Sequence, residues 1–167
     1  MSRPATLVLA VGNRSRGDDA LGPLLLERLG AELAVAGRSG EFELLEDYQL
    51  QPEHALDLVG RRLALFIDAG SGTRAPLDFY AVAARRGMAP GTHALSPQAL
   101  LQVYRQIECA EPPPAFALCV RGERFELGAG LSRGASRHFE AAWRRLELLC
   151  AHPEAAHWHK FGAVLCD

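Results

Sequence analysis

Three side chains in this sequence could together grip a divalent metal ion: Asp19, the second acid of an Asp18-Asp19 pair, then Asp68, then His93. Two carboxylates and an imidazole suit a borderline ion such as zinc or nickel, which accepts mixed oxygen and nitrogen donors. Taken singly, each has an ordinary reading. An Asp behind a strand is commonly a loop or helix-cap residue, and a loop histidine is commonly just solvated. Their positions make them a set, because Asp18-Asp19 follow the first strand-like run, Asp68 closes a later one, and His93 precedes a helix start. Close to a helix N-terminus the positive end of the macrodipole favours neutral imidazole, the form that binds metal.

The elements that must position them follow from hydrophobic periodicity. Ala5–Val11 is a continuous apolar run ending in Gly12-Asn13, as a strand buried on both faces reads. Beyond the polar Arg14–Asp18 loop, Leu21, Leu24, Leu25, Leu29 and Leu33 recur at helical spacing, with Pro23 in the first turn. A second strand is predicted at Phe42–Glu46. Pro52 then opens a helix with an apolar face of Ala55, Leu56 and Val59. Leu63–Ile67 is a third strand, ending in Asp68-Ala69-Gly70, and Phe79–Ala83 a fourth. Ser96-Pro97 starts a helix carrying Leu100, Leu101, Tyr104 and Ile107. Ala115–Val120 is the fifth strand, and Ala135–Leu149 the closing helix.

Strands and helices alternating in this way predict an α/β three-layer sandwich, a mostly parallel five-stranded twisted sheet with helices on both faces. Such sheets bind ligands at the carboxyl ends of their strands. Right-handed crossovers then bring Asp19, Asp68 and His93 to one rim. The 167 residues fit one domain, with a core of about 5–150 and a tail of 151–167.

Composition excludes several functional classes. With a net charge of -2, general attraction to nucleic acid or anionic membrane is not expected. No run approaches the ~20 apolar residues of a membrane span. Met1–Pro4 leads straight into the first strand without the pattern of a secretory leader, and Cys109, Cys119, Cys150 and Cys166 form no CxxC pair, so a cytoplasmic location with reduced thiols is expected. The Gly12–Gly17 loop lacks a phosphate-cradle pattern, and Asp18-Asp19 would repel phosphate. Ser15, Ser71 and Ser96 lack a Gly-x-Ser-x-Gly setting. Cys119 falls in a buried strand, where a thiol is commonly inert. The arginine pairs 85–86 and 144–145 read as solvated faces. Cys150, His152, His157, His159 and Cys166 match no compact ligand motif, and the tail carrying most of them reads as a frayed surface segment.

Four segments in order resemble the nickel-iron hydrogenase maturation proteases. They are Val8–Asn13 with Gly17-Asp18-Asp19-Ala20-Leu21-Gly22, then Phe66-Ile67-Asp68-Ala69, then Gly91-Thr92-His93-Ala94-Leu95, and finally Gly122–Ser132. The resemblance covers roughly residues 5–150. It implies an endopeptidase that clips the C-terminal extension from a hydrogenase large-subunit precursor after nickel insertion. It also implies Asp19, Asp68 and His93 as the metal-binding and catalytic residues. The nickel would be supplied by the substrate, and zinc or cadmium could occupy the same site. The partner implied is the large-subunit precursor, and a monomer is expected. Two departures stand out. Ala20 sits where glycine is frequent in the family. Asp47-Tyr48-Gln49-Leu50-Gln51-Pro52-Glu53 replaces an Asp-Gly-Gly-Thr-like element of substrate recognition. Competing readings are a non-catalytic metal-binding chaperone with the same rim, or a metallopeptidase of this fold acting on another substrate.

Overall fold

A computed structural model describes residues 2–85 and 95–162; His93 and Cys166 lie outside the described residues. Five strands form one sheet: β1 (Thr6–Val11), β2 (Phe42–Asp47), β3 (Leu63–Gly70), β4 (Leu77–Val82) and β5 (Ala115–Arg121). Their order across the sheet is β2-β1-β3-β5-β4. All neighbouring pairs are parallel except β4, which runs antiparallel to β5 at the edge. The helices are α1 (Leu21–Val35), α2 (Pro97–Glu108), α3 (Arg133–Ala151) and α4 (Ala155–Trp158). The expected α/β architecture is the one found.

The alternation of side chains along each strand builds two cores. Val8 and Ala10 of β1 join Leu65 and Ile67 of β3 and Phe116 and Leu118 of β5 under α1 and α3. Leu7, Leu9 and Val11 face the other way with Ala64, Phe66, Ala115 and Ala117, under Leu100, Leu101 and Tyr104 of α2. Leu7, Leu65, Leu118 and Leu100 expose none of their surface, and burying each such side chain contributes about 1.5–3 kcal/mol. Helices therefore cover both faces, and the sheet's functional groups are confined to its rims.

Three expectations are corrected. The segment after Pro52 is a 3₁₀ helix, Pro52–Leu58, and its buried residues are Ala55 and Leu58 while Leu56 is 51% exposed. A repeat of three residues per turn stacks positions 55 and 58 on one side, so the apolar face shifts away from Leu56, while Val59 still packs, partly buried, against the core. The third strand runs on to Gly70, so Asp68 lies within β3, opposite Cys119 of β5. The closing helix starts at Arg133 because Ser132 caps it, its Oγ accepting from Ala135 N–H at 3.1 Å.

The described part of the tail is not frayed. Trp158 is fully buried, packed edge-on against Phe116 with centroids 5.4 Å apart, and its Nε1–H donates to the Leu149 carbonyl at 2.8 Å. The hairpin back from α3 thus completes the core on the α3 side. Trp158→Ala should destabilise the fold by about 3–5 kcal/mol. A chain ending at Leu149 should lose the same contacts, and urea unfolding of both against the full chain measures the effect.

Candidate active site

The crevice between β1 and β3 is fixed by strand order alone. From β1 the chain crosses by α1 to β2 on one side, then returns across β1 to β3 on the other. This reversal is a topological switch point, where the strands' carboxyl ends diverge and leave room for a ligand. Pairing between β1 and β3 ends at Ala10–Ile67. Asp68 comes one residue later on β3, and Asp19 stands in the 3₁₀ turn Gly17–Ala20 that follows β1 and packs against β3.

Two glycines let that turn sit so close. A Cβ at Gly22 would meet the Val11 carbonyl oxygen at 2.8 Å and that of Ile67 at 3.2 Å, so α1 begins directly on the ends of both strands. Gly12 has φ +147°, and a Cβ there would lie 2.0 Å from the Asp19 carbonyl oxygen. Within this turn the Asn13 N–H donates to Asp19 Oδ2 at 2.9 Å, which orients that carboxylate at the head of the crevice.

The adjacent acids of the pair live in opposite surroundings. Asp18 is fully buried. Its carboxylate accepts from Glu123 N–H at 2.7 Å, Arg124 N–H at 2.9 Å, Ser132 N–H at 2.7 Å and the Ser132 hydroxyl at 2.7 Å. Burial alone would raise its pKa, but those donors together outweigh burial and hold the carboxyl below the ordinary carboxylate range. Asp18 was not singled out in the sequence, because its partners lie more than 100 residues away along the chain. The one available signal was the Asp-Asp pair itself, in which a single acid suffices for the rim.

Asp68 behaves differently. Desolvation by the surrounding protein raises its carboxyl, the Ala69 N–H bond at 2.7 Å opposes that, and the negative charge of Asp19 raises it further, to about 6. The coupling between Asp19 and Asp68 means that the two acids selected from sequence share one rim. Asp68 also lies on the α2 side of the sheet. As expected from Ser96-Pro97, Ser96 Oγ caps α2 by accepting from Ala99 N–H at 3.2 Å. His93 falls outside the described residues, so its place at the rim stays an expectation from sequence.

Cys119 and Tyr80 flank Asp68 on the same side, with Tyr80 Oη 3.8 Å from Cys119 Sγ. Burial pushes the Cys119 thiol up, so it is protonated and inert, as its strand position predicted. Neither residue was assigned a role from the sequence.

Solved structures of similar shape exist at low sequence identity. The hydrogenase maturating endopeptidase HybD from E. coli superposes with a TM-score of 0.64 at 21% identity, over 92% of this chain and 93% of that one. A solution structure of an endopeptidase from Escherichia coli gives 0.61 at 21% identity, over 98% and 96% of the two chains. The [NiFe] hydrogenase maturation protease HycI from Thermococcus kodakarensis KOD1 gives 0.60 at 19% identity, over 85% and 90%. The chain has the maturation-protease fold. No protein-family model and no curated protein matches it. At these identities the likeness is one of fold, and it spans nearly the whole of each chain. No helix among the described residues is long and apolar enough to cross a membrane.

Two predictions test this geometry. Asp18→Asn turns an amide N–H₂ toward at least one buried donor, which should cost roughly 1–3 kcal/mol, and Asp18→Ala should cost more. Because the Asp18 pKa is depressed in the fold, its stabilisation is complete above the unfolded carboxylate value and fades as pH falls through the folded one. Denaturant titrations from neutral to acid pH should therefore show the Asp18→Asn penalty shrinking toward low pH. For Asp68 the sign is reversed. Its raised pKa means that stability falls as pH rises from the unfolded carboxylate value to about 6 and levels off above it. In the metal-free protein, carboxyl NMR should find the Asp68 midpoint near 6, and Asp19→Asn should lower it by removing the neighbouring charge; an unmoved midpoint would refute the coupling.

Proposed function

We propose that this chain is an endopeptidase that removes the C-terminal extension of a nickel-iron hydrogenase large-subunit precursor after nickel has been inserted. The observation that carries this reading is the juxtaposition of Asp19 and Asp68 at the β1/β3 switch point of a fold shared with named maturation proteases. Two coupled carboxylates facing one crevice repel each other unless a cation lies between them, and a divalent ion relieves that repulsion. His93 supplies the neutral nitrogen donor that completes a mixed oxygen and nitrogen set.

In this mechanism the ion belongs to the substrate. Asp19 is held at the crevice by the Asn13 N–H, and Asp68 by the Ala69 N–H, so both carboxylates are oriented before the precursor arrives. The precursor docks by presenting its nickel to them, and the segment to be cut then lies across the rim. A bound divalent ion supplies Lewis acidity, polarising the scissile carbonyl or activating a water. Above about pH 6 Asp68 is ionised, so grip on the metal strengthens toward neutrality. No serine or thiol nucleophile is required.

The test is incubation with nickel-loaded and nickel-free precursor, followed by intact mass of the large subunit. Only the loaded form should lose its C-terminal peptide. Asp19→Ala, Asp68→Ala and His93→Ala should each lower processing by at least about 100-fold, beyond the 10–100-fold typical of losing an outer-shell partner of a metal site. Their thermal melting should stay close to that of the parent chain. Retained processing in one variant would remove that residue from the site, and nickel retention without any mass loss would favour a metal-binding chaperone.

A further inference from the structure

Among the described residues, only two buried side-chain polar atoms have no hydrogen-bond partner, Gln102 Oε1 and Arg121 Nε. Gln102 stands in the middle of α2, whereas Arg121 is the last residue of β5, at the rim that carries the candidate active site. Buried N–H groups in folded proteins nearly always find an acceptor, so an exception calls for a reason. Arg61 shows the usual outcome. It is buried and engages all three nitrogens: Nε with the Asp57 carbonyl, Nη1 with the Pro4 carbonyl and Nη2 with Glu43.

Strand alternation puts the Arg121 side chain on the same face as Asp68. Ala115, Ala117 and Cys119 face the α2 side of β5, and Arg121 comes next in that series. Asp68 on β3 lies opposite Cys119, and Gly70 opposite Arg121. Arg121 is therefore offset from Asp68 by about 7 Å along the strands and about 5 Å across them.

One edge of its guanidinium is already fixed, because Nη1 donates to the Thr73 carbonyl of the β3–β4 loop at 3.0 Å. The other edge, Nε with Nη2, has no acceptor among the described residues. Those two donors lie parallel in one plane, the fork that a carboxylate meets with two bonds at once. This chain uses that fork elsewhere. Arg14 meets Glu46 through Nε and Nη2 at 2.8 Å each, and Arg38 meets Glu41 in the same way at 3.0 and 2.7 Å. In Arg121 the fork is held from behind by Thr73 and partly desolvated, yet no carboxylate of the described residues fills it.

We infer that Arg121 is a substrate-binding residue, whose Nε/Nη2 fork takes a carboxylate of the peptide lying across the rim. That carboxylate is either an acidic side chain of the extension or the extension's own chain end, since both present the same planar anion. The substrate is then held by two unlike charges, its cation at Asp19 and Asp68 and its anion at Arg121, which fixes its direction along the rim. The inference rests on the endopeptidase reading for its peptide, but the fork's preference for a carboxylate is measurable without one.

The probes are N-acetylglycinate, which copies a chain end, and N-acetyl-aspartate α-methylamide, which copies an acidic side chain. N-acetylglycinamide is the neutral control. Each is titrated at millimolar concentration into ¹⁵N-labelled full-length protein while the Arg121 Nε–H resonance is followed. A carboxylate should move that proton downfield and the amide should leave it in place; the tighter of the two carboxylates names the source. Arg121→Lys keeps the charge and a donor for Thr73 but has no fork. It and Arg121→Gln should each bind at least about tenfold more weakly, read at the Thr73 and Gly122 amides, with melting close to the parent's. In precursor processing, Arg121→Lys should raise KM more than it lowers kcat. Equal responses to carboxylate and amide probes, or undiminished binding in both variants, overturn the inference. Selective carboxylate binding at Arg121 by a chain that cuts no precursor would sink the endopeptidase reading while leaving the fork's preference standing.

Discussion

The buried carboxylate of Asp18 is the contact on which the rim depends. It accepts three backbone N–H groups and one hydroxyl, all from residues 123–132, and so joins the turn after β1 to the passage between β5 and α3. Ser132 serves both ends of that join, donating its hydroxyl to Asp18 and accepting from Ala135 to start α3. Backbone bonds run the same way, from Gly17 N–H to Ala129 and from Asp18 N–H to Arg124. Gly17 has φ +53° and would place a Cβ 2.3 Å from the Arg124 oxygen, so the two segments touch with no side chain between them. An ionised group taken out of water is costly unless its lone pairs are met, and here they are met from several directions at once. The turn is therefore pinned on its inner side, which fixes where Asp19 points on its outer side.

Residues of one type thus divide the labour by environment. Asp18 is saturated with donors and stays ionised into acid. Asp68, desolvated and near Asp19, is kept partly protonated until about pH 6. Carboxylates whose surroundings push their pKa values apart are typical of sites with distinct tasks. In this protein one task is structural and the other faces the crevice.

Much of this was legible in the sequence, where local pattern and global fold agree. The apolar runs at residues 5–11, 63–67 and 115–120 became β1, β3 and β5, and Ser96-Pro97 became the start of α2, because each depends only on neighbours in the chain. Asp19 and Asp68 could be placed on one rim because strand order and crossover handedness dictate it. What could not be read was set by distant partners. Nothing near Asp18 announces the donors at 123–132, and nothing near Trp158 announces a ring slot made by Phe79 and Phe116. The Pro52–Leu58 segment carried helical signals, yet three-residue and four-residue repeats differ too little over seven residues for apolar spacing to separate them. His54, within that same segment, reads as an ordinary helix residue until the fold brings its ring to Asp47.

The arrangement also bears on how a peptidase of this kind could distinguish finished substrate from unfinished. A site with its own tightly held ion would cut whatever peptide reached it. Here the ionised form of Asp68 is disfavoured, chiefly by desolvation and further by the charge of Asp19, so an empty crevice with both acids ionised is electrostatically unfavourable near neutral pH. A precursor that brings its own divalent charge removes that repulsion on docking, whereas one without metal leaves it in place. The free-energy difference between the two encounters comes from the acids themselves, and no conformational change is needed to express it. Under the proposed function, the repulsion between Asp19 and Asp68 is thereby a means of inspecting the substrate, because the charge that relieves it arrives only with a completed metal centre.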